Sequence, residues 1–212
     1  MVKRKIILIG GGGHCRSCID VIESTNEYRI SGIIDENLPL NSEVMGYKVI
    51  GSDRDLATLK KGIDFAIVTI GQEKSAENRK RLYNNLKALG YKVPAIGADR
   101  SYVSKHASVG IGTIVFHHAM INANVKIGVN CIIGTNSLIE HDVNVGAHSH
   151  IAPSATLNGS VTIGEECFIG SNSVVNHNIK ITDGVIIGSG AVVIKDITEP
   201  GVYVGNPAER VS

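Results

Sequence analysis

Two domains of different class are predicted: an α/β domain with a small parallel sheet and a Rossmann-like opening, followed by an all-β left-handed parallel β-helix. Three observations carry this reading. From residue 103 an aliphatic side chain recurs at every sixth position, from Val103 through Ile139 to Val193, without a break. Ahead of that, short apolar runs alternate with helix-like polar stretches. The first of those runs, KIILIG, enters four consecutive glycines, Gly10 to Gly13. The boundary falls between residues 1–98 and 99–212.

The α/β half is read from its alternation. KIILIG at 5–10, YRISGIID at 28–35, YKVIGS at 47–52 and DFAIVTIG at 64–71 are strand-like. SAENRKRLYNNLKALG is helical and stops on Gly90, and KVPAIG at 92–97 supplies a last strand. Strands separated by helices imply a parallel sheet. Gly10–Gly13 follow the first strand and open a helix, where backbone N–H groups and the helix dipole favour phosphate or pyrophosphate. Asp35 ends the second strand, where a carboxylate reaches a ribose hydroxyl. Together they point to a nucleotide; a tight turn alone is the bland alternative. An NAD-type continuation of the glycine pattern would put its third glycine at Arg16.

The second half is read from its period. Six fits neither a helix at 3.6 nor a strand at 2, but it is the period of hexapeptide coils, three hexads to a turn of eighteen residues. The aliphatic residue fills the prism. A small or branched residue four places on, such as Ala119, Cys131 or Ser149, packs near the corner. Glycine directly after the aliphatic position, as at Gly110, Gly128 and Gly146, relieves strain at the turn. On this lattice Cys131 and Cys167 share an inward column. His141 is third in its hexad and points outward, with Gly159 and His177 one and two coils further along its column. His106, His117 and His118 read as solvated surface residues.

Composition bounds the rest. Apolar residues make up 43% of 212, with 24 glycines, six tyrosines, three phenylalanines and no tryptophan, so the core is aliphatic. Twenty-one basic against twenty acidic residues give no charge argument for nucleic acid or a membrane surface. MVKRKIILIG runs into glycines rather than a cleavable segment, and no stretch reads as a membrane span, so a cytoplasmic protein without membrane insertion is expected. The four cysteines are then reduced. Cys15-x-x-Cys18 lacks the surroundings or further ligands of a redox or metal site.

The I-G-G-G-G-H opening, the unbroken hexads with I-E-H-D, and the closing V-G-N-P-A-E-R resemble the NeuD/PglD family of bacterial sugar acyltransferases. The resemblance implies a homotrimer with active sites between subunits. It implies acetyl-CoA as donor, no metal, and a nucleotide-linked amino sugar, with UDP as nucleotide, as acceptor. By the same resemblance His141 is the general base and Asp142 the acid that orients it. The family usually has glutamate there, one methylene longer. Gly12, Gly13 and His14 form the nucleotide loop, and Asp35 with Glu36 lie near the base. His150 belongs to the acetyl group and cofactor, and Ser171, Gly188 and Ser189 line the pantetheine arm. Cys15 departs from the small residue usual after the histidine.

The expected reaction is direct transfer of acetyl to the 4-amino group of a dideoxy sugar, within bacterial surface glycan synthesis. Histidine suits the base because its ordinary pKa of about 6.5 leaves it a useful proton acceptor at neutral pH. No cysteine or serine stands beside it for an acyl-enzyme. Three other readings remain. One is O-acetylation of sialic acid. Another is a metal-dependent carbonic anhydrase of the same architecture, using His141 and His177, for which the third ligand position holds Thr182. The last is a nucleotide sensor on an inert trimeric scaffold.

Overall fold

The computed structural model describes residues 3–212. Its first half is a five-stranded sheet built from β1 (Arg4–Ile9), β2 (Tyr28–Ile34), β3 (Glu43–Val44), β4 (Tyr47–Gly51) and β5 (Phe65–Val68), in the order β3-β4-β2-β1-β5. All neighbours are parallel except the β3–β4 hairpin. Helix α1 (Gly13–Ser24), a single turn α2 (Leu56–Leu59) and α3 (Glu77–Ala88) complete it. Helix α3 ends where the sequence indicates: Gly90 is left-handed (φ 77°), and Gly90 and Tyr91 donate to the Lys87 and Leu86 carbonyls, a Schellman closure.

The expected last strand divides. Lys92 makes a single bridge to Phe65 in the first sheet, whereas Ile96–Gly97 pairs with Ile114–Val115 in the second half. The segment is drawn away because Ile96 buries against the prism and α1 together, in a core shared with Ile19, Ile114, Phe116 and Ile132.

The second half is the expected left-handed β-helix, whose two-residue strands stack into three faces of six, five and eight strands. Register is in steps of eighteen, Met120 over Tyr102, Leu138 over Met120, and so on along each face until the last coil, where Ile186 pairs with Val202 sixteen residues on and the chain ends in an antiparallel hairpin. The aliphatic lattice from Val115 to Val193 is buried; Val109 is half-buried and Val103 lies 38% exposed, where the first coil has nothing beneath it.

The small residues four places on are buried from Thr113 onward, in keeping with the inward column, and three of their four hydroxyls are satisfied by the coils: Thr113 and Ser149 donate to the Gly128 and Gly164 carbonyls at 2.9 Å and Ser173 to the Gly170 carbonyl at 2.7 Å, whereas Ser137 Oγ is buried without a partner among the described residues. One detail of the turns differs from expectation. The left-handed residue of each turn is not the glycine after the aliphatic position. It stands two places later, where Asn124, Asn130, Asn136, Asp142, His148, Ser154 and their successors all have φ near 60°. Asparagine and aspartate tolerate that conformation better than most residues. The glycines answer a different need. A Cβ on Gly110 would stand 2.6 Å from the carbonyl carbon of Gly128, so the side chain is absent to let stacked backbones touch.

The outward residues give the three faces different characters. The five-stranded face shows Ser108, Lys126, Asn144, Thr162 and Lys180, and is polar. The eight-stranded face buries Ile96, Ile114 and Ile132 under the first domain. The six-stranded face carries an apolar column, Tyr102, Met120, Leu138, Val174 and Val192, interrupted only by Thr156; Tyr102 is 55% and Met120 43% exposed, and the rest are half-buried.

Candidate active site

His141 and Asp142 sit at the corner between the six- and five-stranded faces, directly after Leu138–Ile139. Both are exposed. The imidazole lies across Gly159, where an added Cβ would come within 2.7 Å of Cε1 and 2.8 Å of Nε2. The gap in that column is thus what lets the ring lie flat against the prism. Its Nδ1 is 2.8 Å from Asp142 Oδ2, so aspartate does reach, because the left-handed turn at Asp142 folds the short side chain back onto the ring. The other oxygen, Oδ1, accepts from Asn124 Nδ2 at 2.7 Å. The Asn124 hydrogen bond, then that to His141, hold the Asp142 carboxyl below the usual carboxylate range. Nε2 is left as the ring's free nitrogen.

A second group forms where α1 and the 70–72 loop meet the eight-stranded face. His14, Ser17, Phe116, Ile132, Gly134, Thr135, His150 and Pro153 enclose a cavity of about 210 Å³. The His14 and His150 ring centroids are 6.5 Å apart. Burial, with Arg79 and His150 nearby, pulls the His14 pKa down to about 3. Burial likewise takes His150 to about 4, against the raising effect of its bond to Gln72 and with help from Arg79. Because Gln72 contributes a carbonyl, 2.7 Å from His150 Nδ1, that nitrogen carries the proton and Nε2 is the acceptor. Ser171, Gly188 and Ser189 lie on the corner after the eight-stranded face, Ser171 and Ser189 in register with Thr135 and Pro153 of the cavity and Gly188 with Gly134; Val204 partly covers Gly188.

The glycine loop forms a third group. Gly12 and Gly13 are exposed at the start of α1, with no side chain capping it. Asp35 is engaged by the loop: Oδ2 accepts from Gly11 N–H at 2.7 Å, and Oδ1 from Asn37 and Leu38. Burial opposes ionisation there, but these three bonds outweigh it and the pKa is lowered. Beside it a cavity of about 270 Å³ is lined by Asp35, Glu36, Asn37, Asp53, Asn78 and Arg81. It opens at the carboxyl ends of β1 and β2, where ligands bind in open α/β sheets.

In one chain, then, the glycine loop and His14–His150 adjoin through α1, while His141–Asp142 stands at a different corner of the prism. His117 is not the solvated residue expected: its Nε2 is 3.1 Å from Asp20 and its ring is largely covered. The cysteines are all free and buried; burial pushes Cys131 and Cys167 to about 11 and raises Cys15 and Cys18 also, the opposite of a redox-active thiol. Among the described residues no group of three or more His, Cys, Asp or Glu is placed to hold a metal ion.

Residues 5–86 match the family described as the PglD N-terminal domain, 124–153 the hexapeptide repeat of succinyl-transferase, and 160–195 the bacterial transferase hexapeptide. The acetyltransferase domain of PglB from Neisseria gonorrhoeae FA1090, solved with acetyl coenzyme A, is 29% identical; the match covers 99% of this chain and all of that one, with a TM-score of 0.93. The chain is a hexapeptide-repeat sugar acyltransferase of the PglD/NeuD type. PerB from Caulobacter crescentus, solved with CoA and GDP-perosamine, is 28% identical over 98% of this chain and 97% of its own, at a TM-score of 0.91. WeeI from Acinetobacter baumannii AYE, at 20% identity and 0.76 over 99% of this acyltransferase, shares the fold. No curated protein sequence matches significantly.

Asn124, Gln72, Arg79 and Asn130 were not singled out from the sequence. Asn124 was findable, since it precedes Asp142 by eighteen residues on the same column. Arg79 had a signal too: it occupies the buried stripe of α3 with Leu82, Tyr83 and Leu86, where an apolar residue is expected. Gln72 had none.

Proposed function

We propose that this acyltransferase moves acetyl from acetyl-CoA to the 4-amino group of a nucleotide-linked amino-dideoxy sugar, UDP-linked by family resemblance. His141 is the general base. The observation that carries this is the His141 ring held by Asp142 and laid over Gly159, with Nε2 free. The acetyl-CoA complex of PglB and the CoA and GDP-perosamine complex of PerB support the donor and the class of acceptor.

The sugar amine attacks the thioester carbonyl, Nε2 takes the amine proton as the C–N bond forms, and collapse breaks the C–S bond. The imidazolium then returns the proton to the departing sulfur. Asp142 fixes the Nδ1–H tautomer and offsets the charge on the ring. Gly12, Gly13 and His14 hold the phosphates at the start of α1, and Asp35 with Glu36 shape the nucleoside pocket. His150 accepts an N–H in the acetyl region, and Ser171, Gly188 and Ser189 border the pantetheine arm.

The active unit is a homotrimer. The apolar column on the six-stranded face passes beside His141 at Leu138, so covering that column with a second copy brings that copy against His141. The site is then composite, with the base from one subunit facing the neighbour's nucleotide loop. The protein works in the cytoplasm and its product feeds surface glycan synthesis; no described helix is long and apolar enough to cross a membrane.

The test is thiol release from acetyl-CoA with UDP-, dTDP- and GDP-linked 4-amino sugars and with free sialic acid, in wild type and His141→Ala. Release with one amino-sugar nucleotide, reduced roughly 10²- to 10⁴-fold in the variant, is expected. Release with sialic acid alone would move the protein to O-acetylation, and silence with every acceptor would favour a sensor.

A further inference from the structure

Arg79 is 1% exposed, yet no carboxylate among the described residues touches it. Its guanidinium donates to three oxygens: the Ile70 carbonyl at 2.8 Å, the Asn130 carbonyl at 2.9 Å and the Asn130 side chain at 3.1 Å. Its Nε is buried with no partner. Taking a cation out of water without an opposite charge is expensive, and a well-packed apolar residue of similar volume in its place is commonly neutral or stabilising. Helix propensity and core packing therefore do not account for an arginine here.

Its contacts lie on both sides of the joint between the domains. Ile70 opens the loop that follows β5; Asn130 is a left-handed turn residue of the prism. Two residues past Ile70, the Gln72 carbonyl accepts from His150 Nδ1, and the Gln72 side chain donates to the Cys167 carbonyl at 3.3 Å. On the prism side Asn130 Nδ2 meets His148 Nδ1 at 2.9 Å, and His148 packs edge-on to Tyr83 of α3. One guanidinium thus ties the loop that sets the His150 tautomer to the lattice that carries His150.

We propose that Arg79 is a positioning residue for His150: it clamps the 70–72 loop to the Asn130 turn and so holds the Gln72 carbonyl against Nδ1, leaving Nε2 as the acceptor. This rests on the proposed role of His150 in the acetyl region. The cation also keeps the joint from admitting a second positive charge. Around the two rings α1 contributes His14, α3 Arg79, and the prism Phe116, Phe168 and the Cys167 backbone. The prism acid Glu166 is engaged by Lys80 at 2.5 Å and acts, with Glu165, on His148. No described carboxylate counters Arg79 at His14 or His150.

The experiment compares wild type, Arg79→Met and Arg79→Lys as assembled proteins, after melting and size measurements show that they fold. Nitrogen-edited imidazole spectra, with His150 assigned by its loss in His150→Gln, report tautomer and titration; acetyl transfer is followed from pH 5.5 to 8.5. Wild-type His150 is expected neutral and Nδ1-protonated throughout. In Arg79→Met the ring is expected to lose that single tautomer and to titrate at least about one unit higher, with kcat falling about 10- to 100-fold, most steeply on the acid side. Arg79→Lys keeps the charge but not the fork, so the pH profile should return while kcat stays reduced at every pH. A folded Arg79→Met protein with unchanged tautomer and pH profile would overturn the proposal. Should both variants misfold, Asn130→Gly removes one prism-side acceptor without straining the left-handed turn. Loosening of the His150 tautomer there supports the clamp, and an unchanged spectrum rejects it. The spectra need no turnover, so full activity in His150→Gln would end the reading of His150 as a functional group while the spectra still decide whether Arg79 clamps the loop.

Discussion

In the proposed reaction His141 serves as a base through what its neighbours lack as much as through what they supply. Gly159 supplies the space and Asp142 the orientation, and each can be removed separately. Gly159→Ala puts a methyl within 2.7 Å of Cε1 and must tilt the ring off the prism. We expect acetyl transfer to fall at least about tenfold while the melting temperature barely changes, since the ring is exposed and only its aim is lost. Rate and melting curve measured side by side would separate aim from stability. His150 and His14 make the opposite case, because their neutrality is enforced by burial. An unfolded histidine takes its proton near pH 6.5, the folded rings only near 4 and 3, so between about 6.5 and 4 the unfolded chain binds more protons. Stability therefore falls as pH drops through that window, and His150→Gln should lessen the loss of melting temperature between pH 7 and 5. An identical pH dependence in that variant would contradict the buried, neutral ring. At this scale the sequence revealed the His141 column, because an eighteen-residue repeat converts spacing into adjacency. It did not reveal the reach of Asp142, which depends on a left-handed backbone angle, nor Arg79 and Gln72, which meet His150 only through domain docking.

At the scale of the element, the hexad is three interleaved lattices rather than one. Aliphatic side chains fill the prism, glycines admit the backbone of the next coil, and asparagine-like residues turn the corner in the left-handed conformation. Only the first was fully legible from sequence. The second was visible but assigned to turn strain, because glycine serves both purposes and composition does not distinguish them. The third is spread over Asn, Asp, Ser, His and Glu, so no single letter repeats. The two needs are separable by substitution. Asn172, exposed and at φ 57°, should accept glycine at little cost, whereas valine there should cost about 1–2 kcal/mol from backbone strain alone. Gly134→Ala, with its new Cβ 2.6 Å from the Pro153 nitrogen, should instead push two coils apart and cost about 1–3 kcal/mol despite an ordinary backbone angle. Denaturant midpoints for the three variants would decide, and a tolerant Gly134→Ala would mean the stacking can relax.

For the whole molecule, the prism gives each of its three faces a separate task. One meets solvent, one carries the α/β domain, and one shows the apolar column that passes beside His141. A lone chain leaves His141 and the His14–His150 cavity at different corners, so the proposed reaction makes chemical sense once a second copy covers the column. Met120→Glu, replacing a 43% exposed member of the column, should therefore lower assembly and activity together. A monomer that still transfers acetyl would refute the composite site. A sharper test uses two inactive proteins. His141→Ala keeps an intact His150, and His150→Gln keeps an intact base. Exchanged into mixed trimers under mild denaturant, about one interface in four pairs a wild-type base with a wild-type His150 if the two come from neighbouring copies, so activity should rise to about a quarter of the wild-type value. If both groups served the same reaction from one chain, every chain in the mixture would carry one lesion, and mixing would restore nothing.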